Sequence, residues 1–250
     1  MYFFRVLFWV NPLHSEGEWQ EQVFRMCGRY TLKATPEVVA DQFHFEELSD
    51  LKPRYNIAPS QLVACVRVSS GSTTREGGML RWGLIPSWAK DPTIGVKLIN
   101  ARAETVAEKP SFRKSFKQRR CLVLADGFYE WQKEGRVKQA YYIRLKSERP
   151  FAFAGLWDHW ASADGKTIES CVLLTTESNA LMAPIHNRMP VILNPDTYDD
   201  WLDPDQQDVA RLATLLGSYP AEEMVANPVS RLVNNPRFDD PRCIEALAEC

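Results

Sequence analysis

The chain has 250 residues, of which 45% are hydrophobic and 25% charged, so it has material for one large domain or two small ones with a real core and is too apolar for general disorder. Its net charge is −2; setting aside residues 1–26 removes two arginines and three glutamates and leaves −1. Neither value describes a chain that binds polyanions over its whole surface, so any such binding must come from a local basic patch.

The first 25 residues match the remainder poorly. MYFFRVLFWV is apolar but short, and Arg5 interrupts it. A membrane span needs about 20 apolar residues, and a secretory signal carries its charge ahead of the apolar run and ends on small residues. The segment reads as a weak amphipathic appendage, as a non-native upstream extension, or as a propeptide. In the second reading Met26 is the true start. Cysteine is small enough for the methionine before it to be trimmed, which would leave Cys27 with a free α-amine.

TPEVVADQFHF (35–45) predicts a short helix with Thr35 as N-cap and Pro36 in the first turn. QLVACVRVS (61–69) is an apolar, β-branched strand, and SSGSTTREGG (69–78) a hairpin loop leading into a strand at MLRWGLI (79–85). RCLVLADGFYEWQ (120–132) and QAYYIRLK (139–146) predict paired strands around KEGRV; PFAFAGLWDHWA (150–161) and ESCVLLTT (169–176) predict a second pair around SADGKT. NPDTYDDWL (194–202) starts a helix, and DQQDVARLATLLG (205–217) is another that Gly217 is placed to stop. The proline-rich ANPVSRLVNNPRFDDPRC reads as an irregular tail over the surface. Together these predict an α+β fold: a single domain over 26–235 of curved, mainly antiparallel β-sheets with a few peripheral helices, followed by a C-terminal tail at 236–250.

The six cysteines form no C-x-x-C pair, and the four histidines do not flank them at ligand spacing, which argues against a zinc site. Cys65, Cys121 and Cys171 lie in apolar runs and read as buried, inert thiols, a pattern that fits a reducing cytoplasm better than a disulfide scaffold.

Four polar stretches stand at the ends of apolar strands: RYNIAPSQ with Asn56 and Pro59, LINARAET with Asn100, Arg102 and Glu104, DGFYEW with Glu130, and APIHNRMP with His186 and Arg188. Taken singly, each has a structural explanation. The asparagines satisfy turn backbone groups, Glu130 pairs with an arginine, and His186 is a hydrogen-bonded core histidine. Taken in order, CGRY, RYNIAP, RWGLIP, NARAET, GFYEW and H-x-R-M-P closely resemble the SRAP (SOS response-associated peptidase) family, whose members are described as processing or shielding abasic sites. The resemblance runs from Met26 to about Val233. The family places cysteine directly after the initiator methionine, and the 25 preceding residues are the one departure.

The resemblance implies a fold and a chemistry. Members link themselves covalently to abasic sites in single-stranded DNA. An α-amine and a thiol, with ordinary pKa values of about 7.7–8.0 and about 8.5, are both partly nucleophilic near neutral pH. An N-terminal Cys27 can therefore condense through its amine with the open-sugar aldehyde and close a thiazolidine ring through its thiolate, a step favoured by proximity. By match, Asn100 positions the amine or the sugar oxygen. Glu130, among aromatics that would raise its pKa, shuttles protons. His186 acts as acid or base in opening the sugar. Arg29 and Arg102 hold phosphates. Pro59, Trp82 and Trp88 offer faces to bases, with Asn56 beside them; a core role for Trp82 is equally open. The basic run FRKSFKQRR (112–120), with Arg113 and Lys114, extends a backbone-tracking groove. The expected partner is single-stranded DNA carrying abasic sites, with no cofactor or metal, no membrane, a monomeric state and a cytoplasmic location, nucleoid-associated if bacterial. Two other readings compete: a cysteine peptidase that removes its own N-terminal segment through Cys27, Glu130 and His186, and a non-covalent single-strand binding module.

Overall fold

A computed structural model describes residues 28–247 apart from residues 47, 49 and 136. In chain order the elements are β1 (Arg29–Leu32), α1 (Pro36–Phe43), β2 (Arg54–Ile57), β3 (Leu62–Val68), β4 (Arg75–Trp82), β5 (Asn100–Arg102), α2 (Arg113–Gln118), β6 (Arg120–Ala125), β7 (Gly127–Glu134), β8 (Val137–Leu145), β9 (Phe151–Ala161), β10 (Thr167–Glu177), β11 (Arg188–Pro190), α3 (Tyr198–Leu202), α4 (Val209–Thr214) and β12 (Met224–Val229), with short 3₁₀ turns between them.

Two sheets carry the fold. One runs β12-β8-β7-β1-β2, antiparallel throughout. The other runs β11-β10-β4-β3-β6-β9, and β9 pairs back onto β10. Five of its strands thus close on themselves, which removes the free edges an open sheet would expose. Strand β10 also pairs in parallel with β4 and β5. The sheets meet across aromatics: the Tyr30 ring lies 5.3 Å from Trp82 and 5.7 Å from Phe153, and Phe128 lies 6.0 Å from Phe153. Cys65, Cys121 and Cys171 are buried within this core, with 3.9 Å between the sulfurs of Cys65 and Cys171, and burial pushes the Cys65 thiol up. Thiols so placed are poor nucleophiles.

Several elements differ from the sequence expectation. The 120–132 strand is two strands in different sheets, broken at Asp126. The Asp126 carboxylate accepts from the Thr31 hydroxyl and the Lys33 amide, both at 2.6 Å, and from the Ala34 amide at 3.0 Å, pinning the crossover to β1. A Cβ on Gly127 would stand 2.3 Å from the Tyr142 ring, so only glycine fits there. Strand β4 begins at Arg75, inside the expected loop, and ends at Trp82. Helix α4 spans only Val209–Thr214, because the Asp208 carboxylate already caps the amides of Ala210 and Arg211. Part of the supposed surface tail is a strand: β12 pairs with β8, and beyond it Val233 and Cys243 are fully buried. The α1 expectation holds, with Thr35 preceding Pro36 and His44 closing the helix in the left-handed region at φ 54°. Among the described residues no helix is long and apolar enough to cross a membrane.

Candidate active site

Strand β7 supplies the first wall. Alternation along it sends Tyr129 to the side of the C-terminal segment and Glu130 to the other. Glu130 is 3% exposed, and one of its oxygens accepts the Trp131 amide at 3.2 Å. Gln132, two residues on and so on the same face, donates to the Pro184 carbonyl at 3.0 Å. That bond ties β7 to the 178–187 segment.

This segment is held internally. The Asn179 side chain accepts the Met182 amide at 3.0 Å, and the amides of Ile185 and His186 donate to the Met182 carbonyl at 2.8 and 2.9 Å. His186 is half-buried, and its Nδ1 accepts the Arg188 backbone N–H at 3.0 Å. The Arg188 guanidinium grips both oxygens of Glu104 at 2.6 and 2.9 Å and donates to the Thr175 carbonyl at 2.6 Å. That fork holds the Glu104 carboxyl below its ordinary range.

Asn100 and Arg102 reach the same corner on β5, where they pair with Leu173 and Thr175 of β10. The strand is delivered there by a close backbone crossing. Gly83, at φ 128°, would place a Cβ 2.6 Å from the Gly95 carbonyl, and Trp82 Nε1 donates to the Ile99 carbonyl at 2.9 Å. Asn100 is half-buried, whereas Arg102 is exposed and makes no ion pair among the described residues.

Strand β1 lies beside β7 in the same sheet. Arg29, its first residue, pairs with Tyr129, and Tyr30 pairs with Phe128. Cys27 lies outside the described residues. The Arg29 guanidinium donates to Asn56 Oδ1 at 3.0 Å and to the carbonyls of Val233 and Asn234 at 2.6 and 3.4 Å, and burial lowers its pKa. Asn56, fully buried, donates to the carbonyls of Val233, Asn235 and Phe238. Asp239 closes the clasp by accepting from Arg54 and from the amides of Tyr55 and Asn56, and Trp131 Nε1 donates to Asn234 Oδ1 at 2.8 Å.

The structure therefore links Glu130 to the His186 segment through Gln132 and Asn100 and Arg102 to it through β10, while Arg29 and Asn56 face the C-terminal segment on the other side of their sheet. Roles need revision for three of the residues read as DNA-contacting. Trp82 is fully buried against Tyr30 and offers no face to a base. Asn56 spends its amide on the C-terminal segment and is too buried to meet DNA. Arg29 is committed mainly to carbonyls of the same segment, so a phosphate there would have to share it. Trp88 is 59% exposed on a loop held by bonds from the Ser87 amide to Asp158 and from Trp160 to the Ala89 carbonyl. Pro59 is half-buried at the turn where the Ser60 amide meets the Trp82 carbonyl. Arg113 and Lys114 are exposed on α2, which packs on β6 and β9; no hydrogen bond joins them to Glu130 or His186. Arg120, from the same basic run, is a core residue. It donates to the carbonyls of Phe116, Lys117, Trp201, Asp203 and Gln206, and burial brings its pKa down to about 10.

Sequence reasoning gave no role to Gln132, Asn234 or Asp239, and named Glu104 and Arg188 without one. The period-2 spacing from Glu130 was a usable signal for Gln132. Nothing local marks Asn234 or Asp239, whose partners are more than a hundred residues away.

With this geometry in place, relatives can be compared. The family model described as SOS response associated peptidase (SRAP) matches residues 26–236, and the chain belongs to that family. It is 45% identical over 225 residues to the abasic site processing protein YoqW of Bacillus subtilis, covering 88% of this chain and all of that one. It is 36% identical over 225 residues to the abasic site processing protein HMCES of Xenopus tropicalis, covering 78% of this chain and 67% of that one. A crystal structure of a Bacteroides thetaiotaomicron protein superposes with a TM-score of 0.80 at 30% identity, covering 89% of this chain and all of the other.

Proposed function

We propose that the protein processes abasic sites in single-stranded DNA by forming a thiazolidine crosslink through an N-terminal Cys27, as part of the DNA-damage response. The observation that carries the reading is the register of β1 on β7. Arg29, two residues after Cys27, pairs with Tyr129, the neighbour of the buried carboxylate of Glu130, which supports a reading in which the start of the strand and that carboxylate work together. The chemistry then follows in balanced steps. The Cys27 amine adds to C1′ of the open-sugar aldehyde, and loss of one water gives the imine. The thiolate adds to the imine carbon, the nitrogen takes a proton, and the five-membered ring is closed. Glu130 moves the protons at nitrogen, Asn100 orients the amine or the sugar oxygen, and His186 faces the sugar as its ring opens. Arg102, exposed and without an ion pair among the described residues, is a cation for a flanking phosphate, and Trp88 is an exposed ring on which a base can stack. Arg113 and Lys114 extend the cationic path along α2.

The N-terminus is the point to test. A chain initiated at Met26 and a verified full-length chain are each incubated with abasic single-stranded DNA and run on a denaturing gel. The shorter chain, with Cys27 exposed, gives a heat-stable adduct, and the uncleaved chain gives none. Equal crosslinking by both refutes the mechanism. Intact-mass measurement of the full-length chain shows whether it removes its own first 26 residues, as the peptidase reading requires.

A further inference from the structure

Building on the abasic-site reading, we infer that Glu104 is a positioning residue for His186: by clamping Arg188 it holds the imidazole as the tautomer protonated on Nε2, so that the ring meets the sugar as a hydrogen-bond donor.

The inference starts from one contact. The Arg188 backbone N–H points at His186 Nδ1 from 3.0 Å. A backbone N–H only donates, so Nδ1 must present its lone pair. A neutral imidazole carries its single proton on the other nitrogen. The ring's own backbone is fixed by the His186 amide on the Met182 carbonyl and by Gln132 on Pro184.

What keeps the donor in place is a side chain from elsewhere in the chain. Arg188 is the first residue of a three-residue strand, β11, too short to hold its end by ladder bonds alone. Its guanidinium is gripped by both oxygens of Glu104 and by the Thr175 carbonyl. The Arg188 side chain is 11% exposed and that of Glu104 44%, so the fork faces outward and the carboxylate closes it at the rim. Without Glu104 this guanidinium keeps one carbonyl and turns toward water, loosening the residue whose N–H sets the tautomer.

The consequence is a division of labour. An Nε2–H imidazole cannot accept a proton at that nitrogen, so proton traffic at the amine falls to Glu130. When the sugar opens, the C1′ hydroxyl loses its proton to Glu130 or water. The C1′–O4′ bond breaks, and its electron pair goes to O4′. The His186 Nε2–H donates a hydrogen bond to that oxygen until it takes a proton from water. No proton is gained or lost overall, and the stabilisation is of the kind fixed donors give to developing oxyanions.

Two measurements test this. The first is the long-range ¹H–¹⁵N spectrum of the labelled full chain, with the His186 signals assigned by their absence in His186→Asn. The expected pattern is an unprotonated Nδ1 and a protonated Nε2, with both tautomers populated in Glu104→Ala. The second is single-turnover crosslinking at saturating protein, using the chain that crosslinks in the preceding test. Glu104→Ala should slow it about 10–100-fold, the scale seen when an outer-shell partner that orients a metal-bound histidine is removed. Glu104→Gln, which keeps one acceptor oxygen for Arg188, should recover part of the rate. If Glu104→Ala fails to fold, the wild-type tautomer and the Glu104→Gln rate decide. A protonated Nδ1 in the wild type overturns the inference. So does an unchanged rate in the variants combined with tighter binding of an undamaged oligonucleotide, because the carboxylate would then only stand in for a phosphate at Arg188. The spectrum needs no DNA, so absence of crosslinking in the wild type would refute the proposed function and leave the tautomer assignment standing.

Discussion

Asn56→Ala should loosen the C-terminal segment without touching DNA directly. The Asn56 amide nitrogen has two hydrogens and three carbonyls in reach: Phe238 at 2.7 Å, Asn235 at 3.0 Å and Val233 at 3.2 Å. Val233 already receives Arg29 at 2.6 Å, and the Asn235 carbonyl also receives the Phe238 amide at 3.0 Å, so the carbonyl that depends most on Asn56 is that of Phe238, whose other donor is the Cys243 thiol at 3.6 Å. Alanine leaves it with that weak donor and removes the oxygen that Arg29 donates to. An unsatisfied buried polar group costs about 1–3 kcal/mol, and a loss in that range is expected. For a domain of this size that lowers Tm by about 2–12 °C. Thermal unfolding followed by circular dichroism reads the stability, and limited proteolysis should show faster cleavage between residues 231 and 243. A variant with unchanged Tm and protease resistance, but with weakened binding to single-stranded DNA, would refute the reasoning and return Asn56 to the nucleic-acid surface.

Two further outcomes follow from the site. Cys27→Ala, in the chain starting at Met26, keeps an α-amine and loses the thiol; it should bind DNA normally and give only a transient imine, trapped by borohydride, and a heat-stable untrapped adduct would point to another nucleophile. Arg102→Ala should reduce the slope of log K against log salt by about 0.7, the share of one phosphate contact on a single strand, whereas an unchanged slope in a fluorescence-anisotropy titration would mean that Arg102 meets no phosphate.

The fold class and most strands were legible because their signals are local. Runs such as CVLL and FAFAG alternate or bury continuously, and Pro36 marks a helix start within a few residues. The errors fall where a distant partner decides. RCLVLADGFYEW reads as one strand until Thr31 and the amides of Lys33 and Ala34 capture Asp126; the Asp-Gly pair was the available sign of a break. Gly77 and Gly78 look like loop residues, yet pairing with Val66 and Cys65 of β3 makes them strand. The candidate site divides in the same way. Glu130 and His186 stood out as polar groups at strand ends, and the fold keeps both on linked walls. Asn56, Arg29 and Trp82 stood out equally, but what surrounds them is set by contacts with Val233, Asn234, Phe238 and Tyr30, which no window around them contains. Arg120 differs from Arg113 only by facing the ends of α2 and α3, and the sequence run alone does not separate them.

The clasp around residues 233–239 also bears on how the protein is made. Arg29 and Val233 are 204 positions apart, and Asp239 receives the amides of Tyr55 and Asn56. During synthesis β1 and β2 leave the ribosome early, but the groups that satisfy their polar side chains arrive among the last. A nascent or prematurely terminated chain that stops short of Val233 has the residues around Glu130 and lacks the segment that satisfies Arg29 and Asn56 on the other face of the same sheet. Maturation of the first strand is thus timed by completion of the domain, and a truncated product cannot hold that edge of the site in its finished form.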